Sequence, residues 1–267
     1  MEKSKITFSF GKNWQDLLKV IDEDSLLLSR KDIERWFSGR IDLRGKDIID
    51  VGSGSGMHSL VFHSMSPAKL FSFDHDHNSV AATKSLWEKA GSPSDWTIQH
   101  GSILNKNYLR GLGTYDLVYS WGVLHHTGSM WEGIRNASEM VKPGGYFLIS
   151  IYQGVKTYEF DLALKEKYNG SSAFGKKRLE WTEYILPLMK QRMKRRRNPF
   201  GWNEKKARGM DVYHDIVDWL GGLPYEVASD EQIVNFLLPI GFTLIEKDMS
   251  EACGTYLMHK NNASCLD

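Results

Sequence analysis

Short runs of apolar residues alternate along this chain with segments in which apolar residues recur at helical spacing. The apolar runs predict strands at residues 48–51, 69–74, 96–99, 115–120 and 146–151. The helical patterns between them predict helices at residues 57–65, 79–90 and 129–141. Strands that alternate with helices favour an α/β fold with a parallel sheet, in which ligands bind beyond the carboxyl ends of the strands.

The flanking segments predict additions to this core. Residues 13–37 predict one helix with Asn13 as its N-cap, and residues 142–145 predict a turn. About seventy-five residues, 153–227, follow the fifth strand and carry helical patterns at 158–168 and 180–194. An insert of this length is uncommon in a compact domain unless it is functional. We therefore expect an N-terminal helical cap (1–44), a core (45–152 and 228–267) and an inserted helical lid (153–227).

A glycine-rich turn directly follows the first strand. Asp50 lies near the end of that strand, and Gly52, Gly54 and Gly56 occupy every second position before the helix. Glycine permits a positive φ there and lets a ligand approach the backbone. The spacing differs from G-x-G-x-x-G, with Met57 where a dinucleotide site needs glycine, and Asp50 would repel a pyrophosphate. An NAD-dependent oxidoreductase is therefore disfavoured, and a cationic, phosphate-free ligand such as S-adenosylmethionine fits better.

Polar residues also follow the other predicted strands. Asp74 ends the second strand about twenty residues past the turn, where a carboxylate accepts hydrogen bonds from ribose hydroxyls. Asp76 is predicted to start the next helix instead. Parallel topology would gather Asp50, Asp74, Ser102 and the residues from Ser120 onward at one edge of the sheet.

The region 48–151 resembles the class I S-adenosylmethionine-dependent methyltransferases. The motifs that carry the resemblance are 50–56 (Asp-Val-Gly-Ser-Gly-Ser-Gly), the acid at 74, 115–118 (Tyr-Asp-Leu-Val), 123–126 (Val-Leu-His-His) and 142–145 (Lys-Pro-Gly-Gly). The resemblance implies a Rossmann-like, seven-stranded, mostly parallel sheet with helices on both faces. Its last two strands would form an antiparallel hairpin at 241–246 and 254–259, after a helix at 231–238.

The same resemblance assigns parts of the cofactor to particular residues. The turn from Gly52 through Ser53 to Gly54 would hold the methionine end, and Asp74 would hold the ribose. His75 would flank the adenine, with Ser102 and Ile103 at its edge, although many relatives have an acid where Ser102 stands. The full set of expected cofactor contacts is Asp50, Gly52, Ser53, Gly54, Asp74, His75, Ser102, Ile103, Ser120, Trp121 and Trp14. Trp14 belongs to an aromatic lead segment that either caps the cofactor or fastens the first helix to the core.

The resemblance implies that the insert lies over the acceptor site and determines which acceptor is used. The insert contains two segments with more than one interpretation. The basic run 190–197 fits a phosphate-bearing acceptor, an RNA, or a solvated helix end whose cations offset the helix dipole. The stretch 208–222 interleaves aromatic with ionisable residues, which suits a sugar-like acceptor. It also resembles a subgroup of bacterial methyltransferases of surface-polysaccharide or secondary-metabolite pathways. The alternative for this stretch is a capped helix whose apolar residues pack inward.

Histidines supply the candidate bases for methyl transfer to a hydroxyl. His125 and His126 follow the fourth strand, and we expect His126 to be the base and His125 to be structural or cofactor-facing. His214 in the insert is the rival base. A metal held by His214, Asp215 and Asp218 is disfavoured, because their spacing matches no specific metal motif.

Composition narrows the function further. The formal net charge is +1, which gives no global field for nucleic acid or for a membrane. Residues 1–5 are polar and precede no signal-type apolar run, and no segment is apolar enough to span a membrane, so we expect a cytoplasmic protein without a membrane partner. The leading hypothesis is a methyltransferase acting on a hydroxyl of a carbohydrate or phosphorylated small molecule. The alternatives are an RNA methyltransferase and a non-catalytic S-adenosylmethionine-binding protein, and the oligomeric state is not predicted.

Overall fold

A computed structural model of the chain describes residues 8–19, 21–154, 156–201, 211–250 and 252–262. Residues 1–7 of the expected cap and residues 208–210 of the polar stretch therefore lie outside the described residues. Among the residues described, no helix combines the length and apolar character needed to cross a bilayer.

The centre of the protein is a seven-stranded sheet with the strand order β3-β2-β1-β4-β5-β7-β6. The first five strands run parallel, and β7 pairs antiparallel with both β5 and β6. This confirms the predicted fold class, including the antiparallel hairpin at the end of the chain. The strands are β1 (Asp47–Val51), β2 (Lys69–Asp74), β3 (Trp96–His100), β4 (Tyr115–Trp121), β5 (Val141–Tyr152), β6 (Phe242–Asp248) and β7 (Cys253–Lys260).

Strand β1 shows why its sequence is an unbroken apolar run. Ile48 and Ile49 are both fully buried but point into different hydrophobic clusters on opposite faces of the sheet. A parallel strand covered on both faces needs apolar side chains at consecutive positions. Burying each isoleucine contributes roughly 1.5–3 kcal/mol. Because β1 pairs with β2 and β4 in the same direction, the ends of all three strands meet at one edge.

Helices cover both faces of the sheet and form the insert. Those outside the insert are α1 (Phe10–Leu17), α2 (Glu23–Phe37), α3 (Met57–Ser64), α4 (His77–Lys89), α5 (Lys106–Arg110), α6 (Met130–Glu139) and α11 (Asp230–Leu237). The insert contains α7 (Tyr158–Asn169), α8 (Ala173–Leu179), a π-helical segment (Glu180–Ile185), α9 (Leu186–Lys194) and α10 (Val212–Gly221). Asp76 accepts a hydrogen bond from the Asn78 N–H at 2.8 Å and caps α4, as predicted.

The prediction of one helix over residues 13–37 is wrong. Helix α1 ends at Leu17, and α2 begins after Asp22, which accepts the Ser25 backbone N–H in a capping box. This reciprocal cap satisfies the donors of a new helix start and divides the segment. Asn13 is not an N-cap but lies inside α1, where its amide donates to the His214 carbonyl at 3.0 Å.

The predicted turn at 142–145 is also wrong, since these residues are part of β5. Tyr115 pairs with Val141 and Leu117 pairs with Tyr146, so the residues between them bulge out of the ladder. Gly144 has a φ of 73°, which glycine adopts without strain.

The insert has a small hydrophobic core of its own. Its helices α7 and α9 confirm the helical patterns at 158–168 and 180–194, although the second helix begins earlier, at Ala173, and includes the π-helical segment. The buried side chains of this core are Tyr168, Leu179, Ile185, Val212, Ile216 and Leu220. Helix α10 also contacts α1, so the N-terminal helix and the insert meet above the sheet edge.

Candidate active site

A cavity of about 1180 Å³ lies at the carboxyl ends of the parallel strands. The glycine turn, the end of β2 and the loop after β4 form its floor, α1 forms part of its roof, and the insert forms one side. The sequence-predicted residues in its lining are Trp14, Asp50, Gly52, Ser53, Gly54, Asp74, His75, Ser102, Ile103, Trp121, His125, His126, Asp215 and Asp218. The structure thus brings together residues that are up to two hundred positions apart in sequence.

The glycine turn is shaped by three positive φ angles. Gly52, Gly54 and Gly56 have φ values of 80°, 55° and 82°, a region that favours glycine. A Cβ atom on Gly52 would also lie 2.4 Å from a methyl carbon of Val123. The Trp14 indole nitrogen would lie 3.2 Å from a Cβ on Gly54, so Trp14 covers the turn from the roof. The turn therefore presents bare backbone to the cavity under an aromatic side chain.

Asp50 is a buried carboxylate at the base of this turn. Its Oδ2 atom accepts a hydrogen bond from the Ser59 hydroxyl at 2.5 Å. Burial, together with the negative charge of Asp74, raises the pKa of Asp50 to about 7, although the Ser59 hydrogen bond opposes the shift. A buried acid with a raised pKa is stabilised by a cation, so this position favours a positively charged ligand group.

Asp74 is held at the end of β2 by two backbone donors. Its Oδ2 atom accepts the Gly54 N–H at 3.0 Å, and its Oδ1 atom accepts the Asp76 N–H at 2.8 Å. Burial raises the pKa of Asp74, and the two N–H groups partly offset this effect. Because each carboxylate oxygen has two lone pairs, the group retains acceptor capacity for a ligand diol.

The expected adenine side lies beyond Asp74. His75, Ser102 and Ile103 all line the cavity there. The Ser102 hydroxyl accepts the Leu104 N–H at 3.2 Å, which fixes its direction. The Ser102 hydroxyl is therefore available as a donor at this edge.

Two predicted residues, both within the described chain, are absent from the cavity lining. Ser120 is fully buried, and its hydroxyl donates to the Val51 carbonyl at 3.1 Å, so it braces β4 against β1. His214 instead pairs with Asp211, with Nδ1 and Oδ2 2.7 Å apart. Asp211 also accepts the His214 backbone N–H and caps α10. Alternation along β4 explains why Trp121 faces the cavity while its neighbour does not.

His125 and His126 differ in their hydrogen bonding. His126 Nδ1 lies 2.7 Å from the Pro224 carbonyl oxygen; a carbonyl only accepts, so Nδ1 carries the proton and Nε2 carries the lone pair. His125 Nδ1 accepts the Tyr152 N–H at 3.2 Å, so its proton is on Nε2. Burial lowers the pKa of His126 to about 3 and that of His125 well below its usual value, which keeps both rings neutral.

The side wall of the cavity comes from the insert and is rich in apolar and aromatic groups. Helical spacing places Tyr184, Leu188 and Arg192 on the same inward face of one helix. Arg192 is buried, whereas the other cations of the basic run are exposed. This inward face was missed from the sequence, although its i, i+4, i+8 spacing was the signal. The insert also contributes Val212, Ile216 and Trp219 to this wall, while Phe8, Phe10 and Tyr152 line the cavity from outside the insert.

The polar stretch at 208–222 divides between the cavity and the interior of the insert. Asp215 and Asp218 line the cavity, while the Tyr213 hydroxyl donates to Glu180 at 2.9 Å. Among the described residues, no group of three or more His, Cys, Asp or Glu side chains is arranged to hold a metal ion.

The strand order of the sheet defines a Rossmann-like α/β fold of the methyltransferase type. The chain superimposes on the magnesium protoporphyrin IX methyltransferase of Synechocystis PCC 6803, solved with bound SAH, with a TM-score of 0.56 and 13% identity. The alignment covers 94% of each chain, and at this identity it shows the fold alone.

Sequence comparisons then give the family. A family model described as a methyltransferase domain matches residues 27–205, more than half of the chain. The chain is 26% identical over 131 residues to the ubiquinone biosynthesis O-methyltransferase of Coxiella burnetii, covering 48% of this chain and 53% of the relative. It is 25% identical over 109 residues to the tRNA U34 carboxymethyltransferase of Idiomarina loihiensis, covering 40% of this chain and 33% of the relative. The matches thus span about half, or less, of each relative's length. The chain belongs to the class I S-adenosylmethionine-dependent methyltransferases.

Proposed function

We propose that this methyltransferase acts on the hydroxyl of a small, largely apolar or aromatic acceptor. The observation that carries the proposal is the neutral His126, whose bond to the Pro224 carbonyl leaves Nε2 as an acceptor in a cavity with aromatic walls. The carbohydrate acceptor expected from the stretch 208–222 has less support, because Asp211, Tyr213 and His214 in that stretch bond within the insert.

The cofactor site fits S-adenosylmethionine by its donors and its charge. We assign Asp50 to the ammonium group, Asp74 to the ribose hydroxyls and the backbone of Gly52–Gly54 to the methionine end. When bound, the cofactor supplies an activated methyl group on a sulfonium. Trp14 and Phe10 in the roof exclude water from this region. The chain's further task is to hold the acceptor oxygen in line with the methyl group.

The low pKa of His126 favours an acceptor whose hydroxyl is acidic. An imidazole with a pKa of about 3 accepts a hydrogen bond but is a weak proton acceptor. A phenolic hydroxyl, with a pKa near 10, gives up its proton more readily than an aliphatic alcohol. His126 therefore suits a phenol-like acceptor, whose oxygen needs orientation and partial proton removal as the methyl group transfers.

His125 has a different role in this proposal. Its Nδ1 lone pair is occupied by the Tyr152 N–H, so the ring cannot accept a proton from the acceptor at that atom. Its ring centroid lies 4.4 Å from that of His126, against which it packs edge to face. We assign His125 to positioning the base and to linking the loop after β4 with the end of β5.

The experiment compares His126→Asn with His214→Asn, which changes a histidine outside the cavity lining. We expect His126→Asn to lower kcat by roughly 10²-fold on a phenolic acceptor, the low end of the range for general bases, because the lost imidazole is a weak base. S-adenosylhomocysteine affinity should be unchanged in both variants by calorimetry. Normal turnover in His126→Asn with loss in His214→Asn would assign the base to the insert and contradict the proposal.

A panel of methyl acceptors tests the substrate class. Catechols and other phenols should be methylated, while free sugars and sugar phosphates should not. Methylation of an RNA, abolished by charge reversal of the exposed cations at 194–197, would favour the RNA alternative instead. Cofactor binding without transfer to any member of the panel would favour the non-catalytic alternative.

A further inference from the structure

One helix of the insert carries large apolar side chains on its solvent-facing surface. The helix runs without interruption from Ala173 to Lys194 through α8, the π-helical segment and α9. Its exposed apolar side chains are Phe174, Trp181, Leu186 and Met193, with 82%, 48%, 42% and 54% of their surface accessible. Exposing four such residues on one helix is costly unless another surface covers them.

The π-helical segment aligns these side chains. In a regular α-helix each residue advances about 100°, so Leu186 would lie about 120° around the axis from Phe174. A π-helical turn accommodates roughly one extra residue, which reverses about 100° of that rotation. The six π-helical residues Glu180–Ile185 therefore return Leu186 and Met193 to the side of Phe174.

Cations lie within and beside this stripe. Arg178 and Lys190 fall on the same side of the helix and are exposed. The segment 173–197 contains nine Lys or Arg residues and two Glu residues. Aromatic and aliphatic side chains interspersed with cations are typical of helices that lie in the plane of an anionic membrane interface. We name the surface formed by Phe174, Arg178, Trp181, Leu186, Lys190 and Met193 the outer face.

The opposite side of the same helix is the cavity wall. Tyr184, Leu188 and Arg192 line the cavity and alternate along the helix with the exposed residues of the outer face. A surface that contacts the outer face is therefore one helix diameter, about 10 Å, from the acceptor cavity.

We propose that the outer face docks on an anionic lipid surface and that the methyl acceptor is an amphiphile taken from that surface. The second part rests on the proposed function, because it specifies the source of the apolar acceptor. This proposal departs from the sequence-based expectation of no membrane partner, which rested on the net charge of +1 and on the lack of a spanning segment. An interfacial helix requires neither a global positive charge nor a span, because a local cationic and apolar face is sufficient.

Charge favours lipid over a second copy of the chain. A symmetric contact would place Arg178 and Lys190 of one copy against the same cations of the other, and like charges in such a contact repel. Nucleic acid would match the cations but would leave Leu186 and Met193 without an apolar partner. An anionic bilayer surface satisfies both groups, since its headgroups pair with the cations and its acyl chains accept the apolar side chains.

Vesicle sedimentation of the full chain, without cofactor or acceptor, tests docking independently of catalysis. We expect the protein to bind phosphatidylcholine vesicles that contain phosphatidylglycerol, and to bind less at high ionic strength. Arg178→Glu with Lys190→Glu should weaken binding by roughly 25-fold or more, since each cation near an anionic surface contributes about fivefold. Trp181→Ser with Leu186→Ser should abolish binding, because the apolar anchors are lost. Leu27→Ser, which changes an exposed leucine on α2, should leave binding unchanged.

Other outcomes overturn the proposal. Absence of wild-type sedimentation with the anionic vesicles, or equal sedimentation of wild type and both double variants, would exclude docking through the outer face. A concentration-dependent dimer in analytical ultracentrifugation that dissociates in Trp181→Ser with Leu186→Ser would assign the outer face to self-association. Methyl transfer to a soluble phenol, measured in parallel, should be retained in these variants, because the exchanged side chains do not line the cavity. If the wild-type protein does not methylate the soluble phenol, the proposed function is contradicted but the docking is not.

Discussion

The affinity for cofactor should depend on pH through Asp50. Its carboxyl group is buried, and its pKa of about 7 means that it is partly protonated near neutral pH. A ligand ammonium requires the carboxylate, so binding releases a proton below pH 7. For one titrating group, the apparent Kd should be about 25-fold higher at about pH 5.5 than at about pH 7.5.

Replacing Asp50 with asparagine separates charge from shape. The amide keeps the size of the side chain and can still accept from Ser59, but it cannot form a charge-assisted bond to an ammonium. We expect Asp50→Asn to lower affinity at about pH 7.5 by roughly 10- to 100-fold and to remove the pH dependence. Calorimetric titration with S-adenosylhomocysteine measures both effects, and Asp95→Asn, outside the cavity lining, is the matched control.

Stability should change in the opposite direction. The folded pKa of Asp50 lies above its ordinary value of 3.8, so the favourable contribution of the protonated form is present below pH 3.8 and is lost as the pH rises through 7. Above that range the ionised group costs the unliganded protein on the order of 4 kcal/mol, which Asp50→Asn should recover as a higher unfolding midpoint in urea. A wild-type Kd that is constant across this pH range, or pH dependence that persists in Asp50→Asn, would refute the assignment.

Three further predictions test separate parts of the structure. Gly52→Ala and Gly39→Ala both place alanine at a positive φ, but only the Cβ at position 52 would lie 2.4 Å from a methyl carbon of Val123. Gly52→Ala should therefore weaken cofactor binding by roughly 100-fold in calorimetry, whereas Gly39→Ala should leave it unchanged. Burial lowers the pKa of Lys165 to about 8 from 10.5, so the unfolding free energy should rise by about 3 kcal/mol across that pH interval, and Lys165→Met should abolish the rise in urea titrations. Deleting Thr182 should convert the π-helical segment to regular α-helix and preserve vesicle sedimentation, because Leu186 then still lies only about 20° around the axis from Phe174. Deleting Gln191 instead rotates the last turn of α9, with Met193, by about 100° and should reduce sedimentation.

The parts of the fold that could be predicted depend on short-range rules. Strand β2 was predicted with the bounds that the structure shows, because its apolar residues Leu70, Phe71 and Phe73 pack on both faces of the sheet. The turn at Gly52 and Gly54 was equally predictable, since only glycine adopts those φ angles without strain. The acid at the end of β2 lies beside this turn by the topology of adjacent parallel strands.

Contacts between distant segments could not be predicted. The amide of Asn13 bonds to the His214 carbonyl, 201 positions away, and this contact places α1 over the site. The carbonyl that orients His126 belongs to Pro224, 98 positions further along the chain. No local pattern encodes such pairs, so the sequence indicated which histidines to consider but not which nitrogen of each ring carries the proton. The start of α2 differs, because the capping box at Asp22 and Ser25 is local and was overlooked.

The outer face could not be predicted for a third reason. The rule of α-helical spacing, applied to this segment, assigns its exposed residues to the wrong sides of the helix. At α-helical spacing, Phe174 and Leu186 belong to different sides of a helix, so the pattern contains no continuous apolar stripe. The π-helical segment changes the period within the helix and thereby produces two separate surfaces. One contains Tyr184 and Leu188 in the cavity wall, and the other is exposed with cations beside it. Because both surfaces depend on the same extra residue, the register that shapes the cavity wall also determines which side chains the insert exposes to solvent.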